Sequence, residues 1–245
     1  MAIKSKIVRV GCAGWTIPRA AADRFPADGS HLERFAQRFS AVEINSSFYR
    51  PHRRQTYERW GQSVPLAFRF SVKVPKQITH ELRLHDAAAA IDDFLEGVTG
   101  LGQRLGCLLV QLPPSLDFDG DVADAFFTHF RREYQGPIAC EPRHATWFAP
   151  TVAALWQQHQ ISRVAADPPP VIGAEVPGGS QRFRYFRLHG SPRIYYSQYT
   201  AEFLSALALQ VKTGKSTETW CIFDNTAANH AVPDALQLQQ LLDES

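Results

Sequence analysis

The chain has 245 residues, and 26 Lys plus Arg against 24 Asp plus Glu leave a formal charge of only +2, which gives no bulk attraction to nucleic acid or a membrane surface. At 44% hydrophobic and 20% charged residues it is made like an ordinary globular protein, which excludes a disordered tail, a coiled coil and a collagen-like repeat. No apolar run approaches the roughly 18 residues of a membrane span, and Met1 to Gly14 holds no signal-peptide core, so a cytoplasmic protein is expected.

Read in order, the chain repeats one event: a short run of β-branched or apolar residues ends in polar ones, and a linking or amphipathic stretch follows. The runs are 7–11, 41–45, 67–73, 106–112, 137–141, 162–167, 184–189 and 219–225, giving eight predicted strands. Leu32, Phe35, Ala36 and Phe39 share one helical face, with Asp28 or Ser30 as cap, and Asp86 is placed to cap a helix carrying Ala90, Phe94 and Leu95. Further helices are expected over 121–130, 151–159, 200–211 and 233–242. Strands alternating with helices imply parallel pairing, and eight such units fit a single (β/α)8 TIM barrel spanning residues 1–245. A doubly wound open sheet is the alternative, but no G-x-G-x-x-G turn supports it. Residues 168–183 carry four prolines and three glycines in sixteen positions, so the sixth helix should be missing or irregular, leaving either a bare connection or a loop over the mouth.

In a parallel barrel the residues just past each strand converge on the carboxyl face, where barrel sites are built. That face is expected to receive Trp15, Glu43, Asn45, Lys73, His80, Gln111, Glu141, Arg143, His144, Trp147, Asp167, Arg187, His189, Asp224 and Asn225. Glu43 alternates with Val42 and Ile44 and should point inward, where a carboxylate needs a cation such as Lys73 or Arg187. Arg187 and His189 share parity on their strand, and both can face in. Glu141, His144, Asp167 and His189 are the candidate proton-handling groups. Except for Gln111, the others are candidate substrate contacts, with Lys73, Arg143 and Arg187 for negative charge and Trp15, Tyr49 and Trp147 as walls. Ser191, Arg193, Asn225 and Thr226 lie in the two loops that often hold phosphate in barrels.

The four cysteines, Cys12, Cys107, Cys140 and Cys221, form no Cys-x-x-Cys pair and read as reduced core thiols. Zincin, nucleophile-elbow and Walker motifs are absent. A divalent metal stays open, since Glu43, His80, Glu141, His144, Asp167, His189 and Asp224 are of ligand type, but no spacing demands one and no cofactor is implied.

Several ordered stretches carry a family resemblance: Gly11-Cys12-Ala13-Gly14-Trp15, Val42 to Arg50, Phe68 to Pro75 with Ile78-Thr79-His80, Gln111-Leu112-Pro113-Pro114, Glu141-Pro142-Arg143-His144 with Trp147, Tyr185 to Gly190, and Phe223-Asp224-Asn225-Thr226. In these the chain resembles the YecE-like family, a TIM-barrel domain of unknown function, from about Val8 to Leu242. Ala13 stands where that family more often has serine. The resemblance implies the fold and carries no activity. Its barrel is similar in outline to endonuclease IV and the sugar isomerases, which is analogy of fold only.

Three functions follow as expectations. The first is an enzyme, a hydrolase or isomerase, acting on a small anionic or hydroxylated substrate by carboxylate and histidine acid–base chemistry. The second is a metal-dependent phosphoesterase or nuclease, with Arg50, His52, Arg53 and Arg54 as a basic rim that a solvated helix start explains better. The third is a non-catalytic ligand-binding module. No exposed apolar helix face speaks to oligomeric state.

Overall fold

The computed structural model describes residues 6–244. Among the described residues there are ten strands: β1 (Ile7–Cys12), β2 (Ala41–Ile44), β3 (Arg69–Lys73), β4 (Leu105–Gln111), β5 (Ile138–Glu141), β6 (Ile161–Arg163), β7 (Ala165–Asp167), β8 (Gly178–Gly179), β9 (Phe183–Leu188) and β10 (Glu218–Phe223). Eight α-helices connect or flank them: α1 (His31–Ala36), α2 (Ser46–Tyr49), α3 (Arg54–Gln62), α4 (Ala88–Val98), α5 (Gly120–Glu133), α6 (Ala153–Gln158), α7 (Ala201–Thr213) and α8 (Ala231–Asp243).

The fold is α/β, but the strands form two sheets rather than the single eight-stranded one expected. A four-stranded sheet has the order β1-β10-β9-β7, and a six-stranded sheet the order β2-β3-β4-β5-β6-β8. Every pairing is parallel except β6 with β8. The sheets approach each other at two seams. At one, Ala13 and Glu43 form a parallel bridge and Gly14 N–H donates to the Glu43 carbonyl at 2.8 Å. A Cβ on Gly11 would stand 2.0 Å from the Ala41 carbonyl oxygen, so only glycine lets β1 approach β2 there. At the other, the sixth predicted strand is interrupted at Val164, whose N–H still donates to Cys140 O at 2.8 Å while Ala165–Asp167 pairs with β9. The β-ladder thus changes sheets within one run of chain.

Three of the eight α-helices start at a side-chain cap. Ser30 and Glu33 form a reciprocal capping box at α1, Asp119 caps α5, and Thr200 caps α7. Asp86 does not cap α4: it sits at φ 46°, and the helix begins after Ala87 without a side-chain cap. As predicted, residues 168–177 contain no helix, and the segment returns through β8 as a short antiparallel pair.

Strand alternation sorts side chains into two layers. Val42, Ile44, Phe70, Val72, Leu108, Val110, Phe186, Leu188, Cys221 and Phe223 pack against the helices in the larger core. Ala41, Cys107, Leu109, Ala139, Val164, Phe183, Tyr185, Trp220 and Ile222, drawn from both sheets, fill a smaller core on the opposite side of the strands. Glu43, Lys73, Glu141, Arg187 and Asp224 have the parity of this inner group and lie one step further toward the strands' carboxyl ends. All four cysteines are free and buried.

Candidate functional site

The inner layer turns from apolar to ionic at the carboxyl ends of the strands, and Arg187 is its centre. Its guanidinium is buried and donates four hydrogen bonds to three carboxylates. Nε and Nη2 reach the two oxygens of Glu43 at 3.1 and 2.7 Å, Nη1 reaches Glu141 Oε2 at 2.6 Å, and Nη2 reaches Asp224 Oδ2 at 3.0 Å. Tyr185, two residues earlier and on the same face, donates its hydroxyl to Glu43 Oε2 at 2.8 Å and lies 2.8 Å from Ser71 Oγ.

His189 completes the cluster. Its Nδ1 is 3.1 Å from Asp224 Oδ2 and its Nε2 is 3.3 Å from Glu141 Oε1. Burial opposes charge on this ring, but Glu141 and the hydrogen bonds to both carboxylates outweigh it and raise its pKa. Burial would push Glu141 up, yet Arg187, His189 and Arg143 hold it well below the usual carboxylate range. Asp224 is likewise lowered against its burial by Arg187 and His189. Arg143 offers Nε and Nη2 to Glu141 Oε1 at 3.0 and 2.9 Å.

Lys73, at the end of β3, is buried with its Nζ 4.0 Å from the centroid of the Phe48 ring. Burial and the Arg187 charge bring its pKa down to about 8, against the pull of Glu43, Glu141 and Asp224. Asn45 donates to Asp224 Oδ1 at 3.4 Å, while its Oδ1 is buried without a partner. A cavity of about 330 Å³ opens on this cluster; Glu141, Arg143 and His189 form one wall, and Pro168, Pro169, Pro170, Ile194 and Tyr195 form the other. The start of the 168–183 segment, Pro168 to Pro170, therefore lines the same cavity as Glu141 and His189. Tyr195 sits at φ 70°, unusual for a bulky residue, with its ring edge-on to His189 at 5.8 Å.

Of the residues expected at the mouth, Glu43, Asn45, Lys73, Glu141, Arg143, Arg187, His189 and Asp224 come together. His80 is adjacent, edge-on to Phe48 at 5.0 Å and bonded to Thr79 Oγ1, with its pKa lowered by burial, Lys73 and Arg143. Gln111 is buried at the end of β4. Trp15 lies half-buried against Trp60.

Four expectations are corrected. His144 turns back to cap a short 3-10 turn through Thr146 and joins no cluster carboxylate. Trp147 is core, stacked on Trp156 with its indole N–H donating to Leu116 O at 3.0 Å. Asn225 is fully buried and donates its amide to Ser197 O and Asp234 Oδ2, holding the start of α8, with its Oδ1 left without a partner. Asp167 alternates with Ala166 and lines a different cavity, beside Phe203 and Leu207 of α7, where burial raises its pKa and Oδ1 has no partner. Phe48, Tyr185 and Tyr195 belong to the site and were not expected there; for Tyr185, parity with Arg187 was the available signal.

Among the described residues, the group of His, Asp and Glu side chains close enough to share an ion lies elsewhere: Asp92, His129 and Glu133, on the outer faces of α4 and α5, could in principle hold a metal. Its His129 already pairs with Asp92 at 2.8 Å and Arg132 at 3.0 Å. At the inner cluster, the position a cation would take among three carboxylates is filled by the Arg187 guanidinium. Of the expected basic rim, Arg54 is turned onto Glu58 and Thr99 within its own helical layer.

The model of a protein family of unknown function, DUF72, matches residues 9–245. The chain belongs to the DUF72 family. Among curated relatives, it is similar to YecE of Escherichia coli K12, at 29% identity over 150 residues, and to YunF of Bacillus subtilis 168, at 25% over 152. These alignments cover 58% and 59% of this chain and 54% and 53% of the relatives, about half their length. Solved DUF72 structures from Thermotoga maritima MSB8 and Enterococcus faecalis V583 superpose with TM-scores of 0.80 and 0.79, each at 24% identity. The first match covers 97% of this chain and 100% of the other; the second covers 98% and 96%. They bear on the fold alone. Among the described residues no helix is long and apolar enough to cross a membrane.

Proposed function

We propose that this protein is an enzyme whose active site is the Arg187-centred cluster, acting on a small anionic or hydroxylated substrate held in the adjoining cavity. The observation that carries this is the concentration of ionised groups in one buried place beside an open cavity: Glu43, Glu141, Asp224, Arg187 and His189 within hydrogen-bonding distance of one another. Burying ions costs several kcal/mol each before pairing, and apolar residues of similar volume would hold a core at least as well. Such clusters in clefts are therefore candidate functional sites. Arg143 supplies a cation on the cavity wall.

The pKa directions reassign the chemistry expected of single residues. Glu141, depressed and bonded to three partners, orients Arg143 and His189 rather than carrying a proton. His189, flanked by carboxylates at both nitrogens, is the proton donor on the cavity wall, and Lys73 is the group poised to accept one near neutrality. We further infer that the two sheets act as one (β/α)8 barrel within a single domain, with the two seams as joints; the shared inner core and the Ala13–Glu43 bridge support this. A site at the strands' carboxyl ends is where barrel enzymes place theirs.

A panel of sugar phosphates, oxo acids and polyols, screened by thermal shift against wild type and Arg143→Ala, tests the reading. Stabilisation of the wild type by one chemical class, lost in the variant, is expected. Equal shifts in both proteins, or none with any class, would remove it.

A further inference from the structure

Lys73 is not explained by the electrostatics of its own surroundings. Glu43, Glu141 and Asp224 bring three negative charges, and Arg187, Arg143 and a protonated His189 already balance them through direct hydrogen bonds. Lys73 is a surplus cation. The other described lysines are used or exposed: Lys6 binds the carbonyls of Val211, Lys212 and Gly214, Lys76 pairs with Glu81 at 3.0 Å, Lys212 donates to Leu241 O at 2.6 Å, and Lys215 is exposed. Lys73 is buried, and its Nζ makes no hydrogen bond or ion pair with a described residue; its neighbour is the Phe48 ring. Its backbone is fixed, with Ser47 Oγ donating to the Lys73 carbonyl at 2.6 Å and Val74 N–H to Leu109 O at 2.9 Å. A structural lysine in this place would be expected to lie against one of the three carboxylates. This amine is instead held on an aromatic face, short of all of them.

We propose that Lys73 is the nucleophile of this site and that its substrates are small anionic aldehydes or ketones, bound through Arg143 and joined to Nζ as an iminium. The inference rests on the site assigned above. Nζ, having given up one proton, adds its lone pair to the carbonyl carbon, forming the C–N bond. The carbonyl oxygen then leaves as water. In sum, an ammonium and a carbonyl compound give a protonated iminium and one water, with no oxidant or reductant consumed. The iminium keeps the positive charge within reach of the carboxylate cluster, and Arg143 on the cavity wall takes the substrate's own anion. The lowered pKa of about 8 supports this: at pH 7.5 roughly a quarter of the amine is free, against about one part in a thousand for an exposed lysine.

The test treats the full chain at pH 7.5 with glyoxylate and cyanoborohydride, which turns an iminium into a stable carboxymethyl group, and reads each lysine by peptide mass spectrometry. Lys73 should be modified at least about tenfold faster than Lys76 or Lys212, and faster with glyoxylate than with acetaldehyde. Arg143→Ala should remove the preference for glyoxylate while leaving the slow labelling of Lys76 unchanged. Labelling of Lys73 no faster than Lys76 overturns the nucleophile, and equal rates with the two aldehydes overturn the anionic substrate class. If Lys73 stays unmodified while an anion still stabilises wild type but not Arg143→Ala, this inference fails and the active-site reading stands.

Discussion

Replacing Arg187 with methionine removes the charge and fork of the guanidinium while keeping a long side chain in the same space. The four hydrogen bonds to Glu43, Glu141 and Asp224 are lost together, and three carboxylates are left around an apolar group. Removing one partner of a buried ion pair costs roughly 3–5 kcal/mol, and with three partners the upper end applies, about 5 kcal/mol at neutral pH. For a chain of this size each kcal/mol moves Tm by roughly 2–4 °C, so a fall of about 10–20 °C is expected. The pH dependence follows from Glu141. In the wild type its pKa is depressed, so it contributes stability that is present above the ordinary carboxylate pKa and lost as pH falls through the folded value. In the variant burial acts on Glu141 without Arg187, raising its pKa, so acidification relieves the variant, while the wild type keeps its Glu141 contribution until the pH falls below the ordinary carboxylate pKa. Urea unfolding of both proteins at pH 7.5 and pH 5 should show a gap that narrows at the lower pH. A loss under about 1 kcal/mol at pH 7.5, or a gap that widens on acidification, would refute this electrostatic reasoning.

Tyr185→Phe deletes one hydroxyl between Glu43 and Ser71, and because Glu43 keeps both bonds to Arg187 a loss of about 1–3 kcal/mol in chemical denaturation is expected, well short of the Arg187 variant. His189 should titrate above the usual histidine value by nitrogen-detected NMR, with both ring nitrogens protonated at pH 6.5; its contribution to stability is complete below the unfolded pKa and disappears as pH rises through the folded one, so a neutral ring at pH 6.5 would contradict the assignment. Gly11→Ala drives a Cβ into the Ala41 carbonyl at the β1–β2 seam and should sharply lower the yield of folded protein, whereas wild-type stability in that variant would mean the seam is loose.

Much of the cluster was legible because strand parity is a simple rule. Glu43 lies between two residues that pack on helices, and Arg187 and His189 are two apart, so the alternation alone aims them inward. The same alternation puts Asp167 on the side of Ala165, which packs in the larger core, but the break at Val164 hides that parity. His144 and Trp147 lie beyond β5 in a turn whose path follows its own hydrogen bonds, so proximity in sequence to Glu141 did not carry them to the cluster. Phe48 and Tyr195 come from a four-residue helix and a strained loop, where no period specifies direction. The two-sheet arrangement was equally hidden: one run of apolar residues, 161–167, serves both sheets, and nothing in its composition marks the point of exchange.

A crystal structure with the best-stabilising anion from the thermal-shift panel tests the central assignment most directly. Density bridging Arg143 and His189 beneath Tyr195, within reach of Lys73, is predicted. Density only in the separate cavity lined by Thr16, Thr226 and Asn229, with the Arg187 cluster unchanged and its cavity empty, would contradict it.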